Sequence, residues 1–286
     1  MIYIVIREVK QMEEADYPAV ALVACGLAGI VMSLDVEGKR YGIGRIIAID
    51  TSDRALNAFR NANQKIMIGE RTAGRPKTAE KVRKLASKHQ STIQQALDGM
   101  QLVIIVGGAA GFAGGTLATL VAEFAQRNGS LVLALVSWPF PYEPRQRRRQ
   151  ALITLGSLIK HANSVLPLHE PSSGLYNKSV EYVINERRTA LRHYLWHVCG
   201  CLFRPKLADI DFEEIRSVFI LNTGGLVSQF GWGEASGEKR ALRAAEQAIS
   251  HPGLPAPEQI SPHSISVDIR GHRSSMSMRE VAEVMD

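Results

Sequence analysis

Five short apolar runs punctuate the first part of the chain, with helix-sized segments between them. Residues 20–23, Arg45–Asp50, residues 102–106, Leu131–Ser137 and Ser164–Leu168 are rich in Val, Ile, Leu and Ala at consecutive positions. Consecutive rather than alternating apolar positions mean burial on both faces, the mark of a parallel sheet. Between the runs, Asp53 is a predicted N-cap for a helix over 54–61. Thr78 is a predicted cap for a single helix whose Val82, Leu85, Ile93 and Leu97 form an apolar stripe. Residues 69–76 and 107–115 read as loops, and 116–127 and 146–161 as helices. The alternation predicts an α/β fold, with helices on both faces of the sheet and the loops after its strands along one ligand-binding edge.

The pattern changes after residue 203. A long central helix, Val180–Phe203, is followed by Pro205. Beyond it, 211–222 reads as helical, 226–232 as extended, and Ser236 as the cap of a helix ending at Ser250. A linker with three prolines covers 251–261, residues 263–269 alternate like a half-buried strand, and 274–286 is helical again. The division expected is therefore a first domain over 1–203, including the central helix, and a short, incomplete α+β domain over 204–286. Two strands make a marginal sheet, so an exposed edge used in self-association is expected.

Two uncharged stretches change the picture only briefly. Residues 17–34 and 102–121 are 18 and 20 residues long, enough to cross a bilayer. Each begins as a strand-like run, breaks at glycines and resumes as a helix, which is a globular strand, loop and helix. The start, MIYIVIREVKQ, is charged too early for a signal peptide, and a cytoplasmic location is the expectation. Hydrophobic content of 45% with 22% charged residues is ordinary globular composition. Cys25, Cys199 and Cys201 give neither a disulfide framework nor a zinc ligand set, so no metal site is read here. A net charge of +6 favours anionic partners such as nucleotides or acidic lipid, without choosing among them.

Several words at the joints between elements share an order with one family. Ala48-Ile49-Asp50-Thr51 is close to A-I-N-T-D, and Ile68-Gly69-Glu70 matches I-G-E. Val136-Ser137-Trp138-Pro139-Phe140-Pro141-Tyr142-Glu143-Pro144-Arg145 is similar to V-T-K-P-F-x-F-E-G-R. Asp209-Ile210-Asp211-Phe212-Glu213-Glu214 stands where N-x-D-F-A-D would. Ala235-Ser236-Gly237-Glu238 and Ala245-Glu246-Gln247-Ala248-Ile249-Ser250 match A-S-G-E and A-x-x-A-I-S. In this order, over roughly residues 17 to 270, the chain resembles the FtsZ/tubulin family.

The resemblance implies GTP or GDP as ligand, with magnesium admitted beside it, and head-to-tail filaments in which one subunit's acidic loop completes the next subunit's site. It places the phosphates on Gly107, Gly108, Gly111, Gly114, Gly115 and Thr116, where the family has G-G-G-T-G-T-G, and on Gly26 and Gly29 in the first loop. Glycines let backbone amides approach phosphate oxygens, although a tight packing turn needs small residues too. Leu27 and Ile30 are expected to crowd the first loop. Glu143 matches the ribose-contacting glutamate and Arg147 a nucleotide-holding arginine; their spacing also suits a helix-surface pair. The base-contacting positions fall near Leu168 or His169 and at Thr189, without a carboxylate, so base selectivity is open.

Asp209, Asp211 and Glu214 are the catalytic candidates, since loop carboxylates can orient and polarise water. Asp211 with Glu214 three residues on is equally a capping box. The reading is a nucleotide-dependent, self-assembling protein with weak or lost GTP hydrolysis; the rival is a non-enzymatic scaffold on an anionic membrane, with Arg145, Arg147, Arg148 and Arg149 as its basic run. Nucleic acid is not expected as a partner. A dinucleotide oxidoreductase is disfavoured because Gly26-x-x-Gly29 lacks the first glycine of that fingerprint.

Overall fold

The computed structural model describes residues 2–5, 18–70, 76, 78–140, 142–168, 179–203, 212–220, 226–251, 254, 265–271 and 275–285. In chain order the elements are β1 (Ile2–Val5), β2 (Val20–Cys25), α1 (Gly26–Ser33), α2 (Gly38–Tyr41), β3 (Arg45–Asp50), α3 (Asp53–Ala58), β4 (Gln64–Met67), α4 (Ala79–Ser87), α5 (Gln90–Leu97) and β5 (Leu102–Gly108). There follow α6 (Phe112–Arg127), β6 (Leu131–Ser137), α7 (Arg145–Leu158), β7 (Ser164–Leu168), α8 (Val180–Phe203), α9 (Phe212–Phe219), β8 (Leu226–Val227), α10 (Arg240–Ile249), β9 (Val267–Arg270) and α11 (Met278–Met285).

One seven-stranded, wholly parallel sheet runs β4-β3-β2-β5-β6-β7-β8. Its central strands are buried at every position, as their unbroken apolar runs require. Alternate residues serve two cores. Leu22, Ile46, Ile104 and Leu133 face α1, α3 and the central helix α8, meeting Ile30, Tyr194 and Leu195. Val23, Ile47, Ile105 and Val132 face α4, α5, α6 and α7, meeting Val82, Ile93, Leu117 and Ala151. The two uncharged stretches are β2 with α1 and β5 with α6; no helix among the described residues is long and apolar enough to cross a membrane.

The structure corrects several local expectations. Ser52, not Asp53, is the N-cap of α3. The helix opened by Thr78 breaks into α4 and α5 at Lys88-His89, although Thr78 caps as expected, its Oγ1 accepting from Lys81 N at 3.3 Å. The glycine loop is shorter than read: Gly107 and Gly108 end β5, and α6 already begins at Phe112. Ser236 does not cap α10, which starts after Lys239, itself left-handed at φ 51°.

The C-terminal sheet expected from 226–232 and 263–269 does not form. Leu226 and Val227 instead extend the main sheet beside β7, while β9 pairs in parallel with β1, Ile2 opposite Val267. The linker expected over 251–261 lies mostly outside the described residues. The stretch after β8 packs tightly on α10: a Cβ on Gly233 would lie 2.0 Å from Ala244 O, and one on Gly231 2.2 Å from Ala248 O.

Candidate functional site

Strand order reverses between β2 and β5. From β2 the chain moves outward to β3 and β4, then returns to β2's other side to lay down β5, β6 and β7. At such a switch point the loops leaving neighbouring strands part to opposite faces and open a crevice over the carboxyl ends. Both glycine loops lie there. Helix α1 leaves β2 toward the α8 side, burying Ile30 and Met32, while α6 leaves β5 toward the other side, burying Leu117 and Val121.

The two helix starts touch. Gly26 has φ +72°, which an L side chain rarely adopts, and a Cβ there would lie 2.6 Å from Gly114 Cα. Gly111, the N-cap of α6, is different: the nearest atoms to a Cβ there would be Gly108 O and Gly114 N, both at 4.0 Å. No packing contact accounts for this glycine. Bare backbone stands where a side chain would cover the first amides of α6.

Those amides are available. Helices α1, α6 and α7 follow the adjacent strands β2, β5 and β6, and none receives a side-chain cap from its N-cap residue, Cys25, Gly111 or Pro144. A helix's first amides have no intrahelical acceptor, and the dipole makes that end positive. Three uncapped starts along one sheet edge make a cradle for an anion of the phosphate class.

Placement of the individual residues sorts the candidates. Gly26, Gly29, Gly107, Gly108, Gly111, Gly114 and Gly115 gather around the ends of β2 and β5, whereas Thr116 is buried in α6 behind them. Gly114 and Gly115 are helical. Ile30 does not crowd the first loop, because its side chain is fully buried in the core; Leu27 is 48% exposed at the helix start. Cys25 beside them is no nucleophile: burial first, and Asp50 second, push its thiol far up and keep it neutral.

Next along the edge, the turn from β6 to α7 is held from within and from α8. Glu143 accepts from Phe140 N at 3.0 Å and pairs with Arg147 one turn into α7. The Phe140 ring stacks on Tyr142 at 5.2 Å, and Arg187 of α8 lies 4.5 Å above it while donating to Trp138 O at 2.9 Å. Sequence spacing links Glu143 to Arg147 but nothing in it pairs Arg187 with this turn. At the two positions where the resemblance would put base contacts, Thr189 Oγ1 accepts from Arg192 Nη2 at 2.8 Å, and Leu168 packs half-buried against the core. His169 lies outside the described residues.

The remaining candidate sits far away. Glu214 is exposed in the first turn of α9, which is also near the amino end of β6, since Arg216 reaches Gly129 O at 3.5 Å. The glycine loops are at the carboxyl edge, a strand length away, and α8 between the two ends is about 36 Å long at 1.5 Å per residue. Glu214 therefore cannot reach its own subunit's cradle. Asp209 and Asp211, just before α9, lie outside the described residues.

A profile of the Tubulin/FtsZ family, GTPase domain, matches residues 31–171, a span that begins within α1 and holds β3 to β7, the second glycine loop and the β6 turn. The cell division protein FtsZ 1 of Pyrococcus furiosus is 30% identical over 263 residues, 87% of this chain and 67% of the relative. The chain belongs to the FtsZ/tubulin family. The FtsZ 1 of Thermococcus kodakarensis is likewise 30% identical over 263 residues, covering 87% and 67%. Among solved structures, the empty FtsZ dimer of M. jannaschii superposes with a TM-score of 0.74 at 26% identity, covering 84% of this chain and 71% of that one. The GTPγS-bound CetZ2 protofilament of Haloferax volcanii has a TM-score of 0.68 at 17% identity, covering 81% and 73%, and shares the fold.

Proposed function

We propose that this FtsZ-family protein binds a guanine nucleotide at the β2/β5 crevice and assembles head to tail, so that each nucleotide is closed off by the next subunit's α9 region. The observation that carries the reading is the separation of the two halves of the site: an anion cradle at the carboxyl edge of the sheet and an acidic helix start at the amino edge. Translation of one subunit along the strand direction brings Glu214 toward a neighbour's cradle. The solved relatives described as a dimer and a protofilament favour self-association.

A bound nucleotide would bring the phosphoryl group to be attacked, and magnesium would screen its charge. Gly111, Gly114 and the first amides of α6 hold the phosphates, and Glu143 and Arg147 border the ribose. The carboxylates of the neighbour's Asp211 and Glu214 orient water and accept its proton. The phosphate end fits this ligand better than the base end, where Thr189 engages Arg192 and offers no carboxylate to a guanine ring. Binding is therefore weak and poorly selective for guanine over adenine, and hydrolysis is slow or lost. Nucleotide content of the purified protein, followed by sedimentation with GTP, GDP and no nucleotide, tests the reading. Nucleotide-free protein that sediments identically in all three conditions would overturn it.

A second reading, assembly as a scaffold on an anionic membrane, is favoured by one surface. Arg145, Arg148, Arg149, Leu152 and Ile153 share the outer face of α7; Leu152 is 59% and Ile153 56% exposed, and the helix contains no carboxylate. Basic and aliphatic side chains on one face suit an acidic bilayer interface. Charge reversal of Arg145 and Arg149 abolishes co-sedimentation with phosphatidylglycerol vesicles under this reading. Unchanged co-sedimentation removes α7 as the contact.

A further inference from the structure

We propose that His197, Cys201 and Asp268 form a binding site for a divalent cation of the zinc class, which ties the C-terminal strand β9 to the central helix. His197 and Cys201 stand one turn apart on the same face of α8, and Asp268 faces them from β9. One ligand atom of each lies within 4.8 Å of the other two. The set is mixed, one nitrogen, one sulfur and one oxygen, which is why cysteine spacing alone does not reveal it.

The geometry at His197 is specific. Its Nε2 lies 3.2 Å from Ser266 Oγ, which directs Nδ1 toward Asp268. Nδ1 and Asp268 Oδ2 are 3.9 Å apart, too long for a hydrogen bond, and both side chains are nearly fully buried. Zinc-ligand bonds of about 2.0–2.3 Å put ligand atoms roughly 3.3–3.8 Å apart in a tetrahedron, so a small inward movement completes the set. A ligating imidazole whose other nitrogen is held by a protein group is the usual outer-shell arrangement.

Asp268 also accepts from Arg270 Nη2 at 2.7 Å. A carboxylate has lone pairs for both roles, and Arg270 fixes its orientation. Gly200 makes this possible, since a Cβ there would lie 2.2 Å from Arg270 Nη2. On binding, the Cys201 thiol releases its proton to solvent and the thiolate binds the ion, so thiolate and carboxylate offset the two positive charges. Nitrogen and sulfur donors select zinc or cobalt over magnesium or calcium. Cys201 is only partly buried, which leaves an approach for the ion and a fourth position for water.

The test uses the full chain, stripped with chelator and titrated with Co²⁺ and Zn²⁺. Expected are one equivalent of metal by mass spectrometry and a near-ultraviolet thiolate-to-cobalt charge-transfer band. That band is lost in Cys201→Ser and kept in Cys199→Ser, a buried neighbour outside the set. At a hundredfold excess over Kd, Zn²⁺ should raise the wild-type Tm by roughly 5 °C or more and leave that of folded Asp268→Asn almost unchanged. Absence of bound metal in the wild type, or a charge-transfer band that persists in Cys201→Ser, overturns the site. Should Asp268→Asn fail to fold, the two cysteine variants decide alone.

Discussion

Helix α6 and helix α11 mark the two extremes of the molecule. Ten residues of α6 are buried against the parallel sheet, whereas none of α11 is. The strands differ in the same way: β2 is buried at all six positions between two neighbours, while β9 buries two of four and, among the described residues, pairs only with β1. The sheet half is held by apolar area and presents a cradle on a rigid edge. The C-terminal region is held by polar and aromatic links. Arg240 pairs with Glu280 at 2.6 Å, Arg270 bridges Asp268 and lies over Trp196, and His193 stacks on Trp232, which in turn meets His251. The rigid half can keep a ligand site constant while the other responds to its ionic surroundings.

The largest expected effects test that division directly. Leu133→Ala, in the fully buried centre of the sheet, should cost about 2–5 kcal/mol and unfold the chain as a unit. Ile269→Ala, 9% exposed in β9, should cost about 2 kcal/mol, the low end of that range, in a transition that leaves the sheet intact. Equal losses by urea titration would show one cooperative unit instead of two.

Function should require both regions, but from different subunits. If the protein hydrolyses GTP, Glu214→Gln should lower turnover by on the order of 10²-fold without changing stability, and specific activity should climb with protein concentration. Mixing Glu214→Gln with a cradle variant should restore activity at interfaces where each supplies its intact half. A concentration-independent rate would place the whole site in one subunit.

A smaller effect is expected at Gly26. Replacement by Ala costs about 2 kcal/mol, from its left-handed backbone and its approach to Gly114. It should weaken nucleotide binding more than the equally small change Gly129→Ala, whose Cβ would meet nothing within 4 Å. Calorimetry on both variants makes the comparison, and matched affinities would remove the cradle from the binding site.

The mildest perturbation is acidification. Burial lowers His251 to about 4, with His193 adding to the shift. The unfolded chain therefore takes up more protons than the folded one between roughly pH 6.5 and 4. Stability is full above that window and falls as pH drops through it. Glu280, held down to about 2 by Arg240, keeps its contribution through the same window and loses it only between its ordinary range and pH 2. Fluorescence of Trp196 and Trp232 in a Trp138→Phe background should report loosening between pH 6.5 and 4, and His251→Gln should flatten the response. A flat wild-type profile would exclude the stack as the pH-sensitive link.

The same contrast explains what could be read in advance. Strands β2, β3, β5, β6 and β7 were legible because double-sided burial writes consecutive apolar residues into them. Strand β4 was not, since Gln64-Lys65-Ile66-Met67 lies at an edge and buries only Ile66. A continuous stripe from Val82 to Leu97 concealed the break between α4 and α5, because both short helices turn the same kind of face to the core. Composition located the glycine loops; only coordinates separate Gly26, needed for close approach, from Gly111, which no contact requires. Glu143 and Arg147 were visible as a local spacing, whereas Arg187 on Phe140 and His197 near Asp268 are meetings of distant segments that no local pattern encodes.

The pairing of Ile2 with Val267 sets a schedule as well as a contact. The partners are 265 residues apart, so at about 5–20 residues per second the opening strand emerges roughly 13 to 50 seconds before its partner is made. Throughout that interval its backbone groups face the cell unpaired, and any other strand edge nearby, including that of a second nascent chain, competes for them. Slow or stalled synthesis between the two strands would lengthen this exposure. Yield in the cell should therefore depend on translation speed over the codons that separate these two strands, even where the folded protein is unchanged.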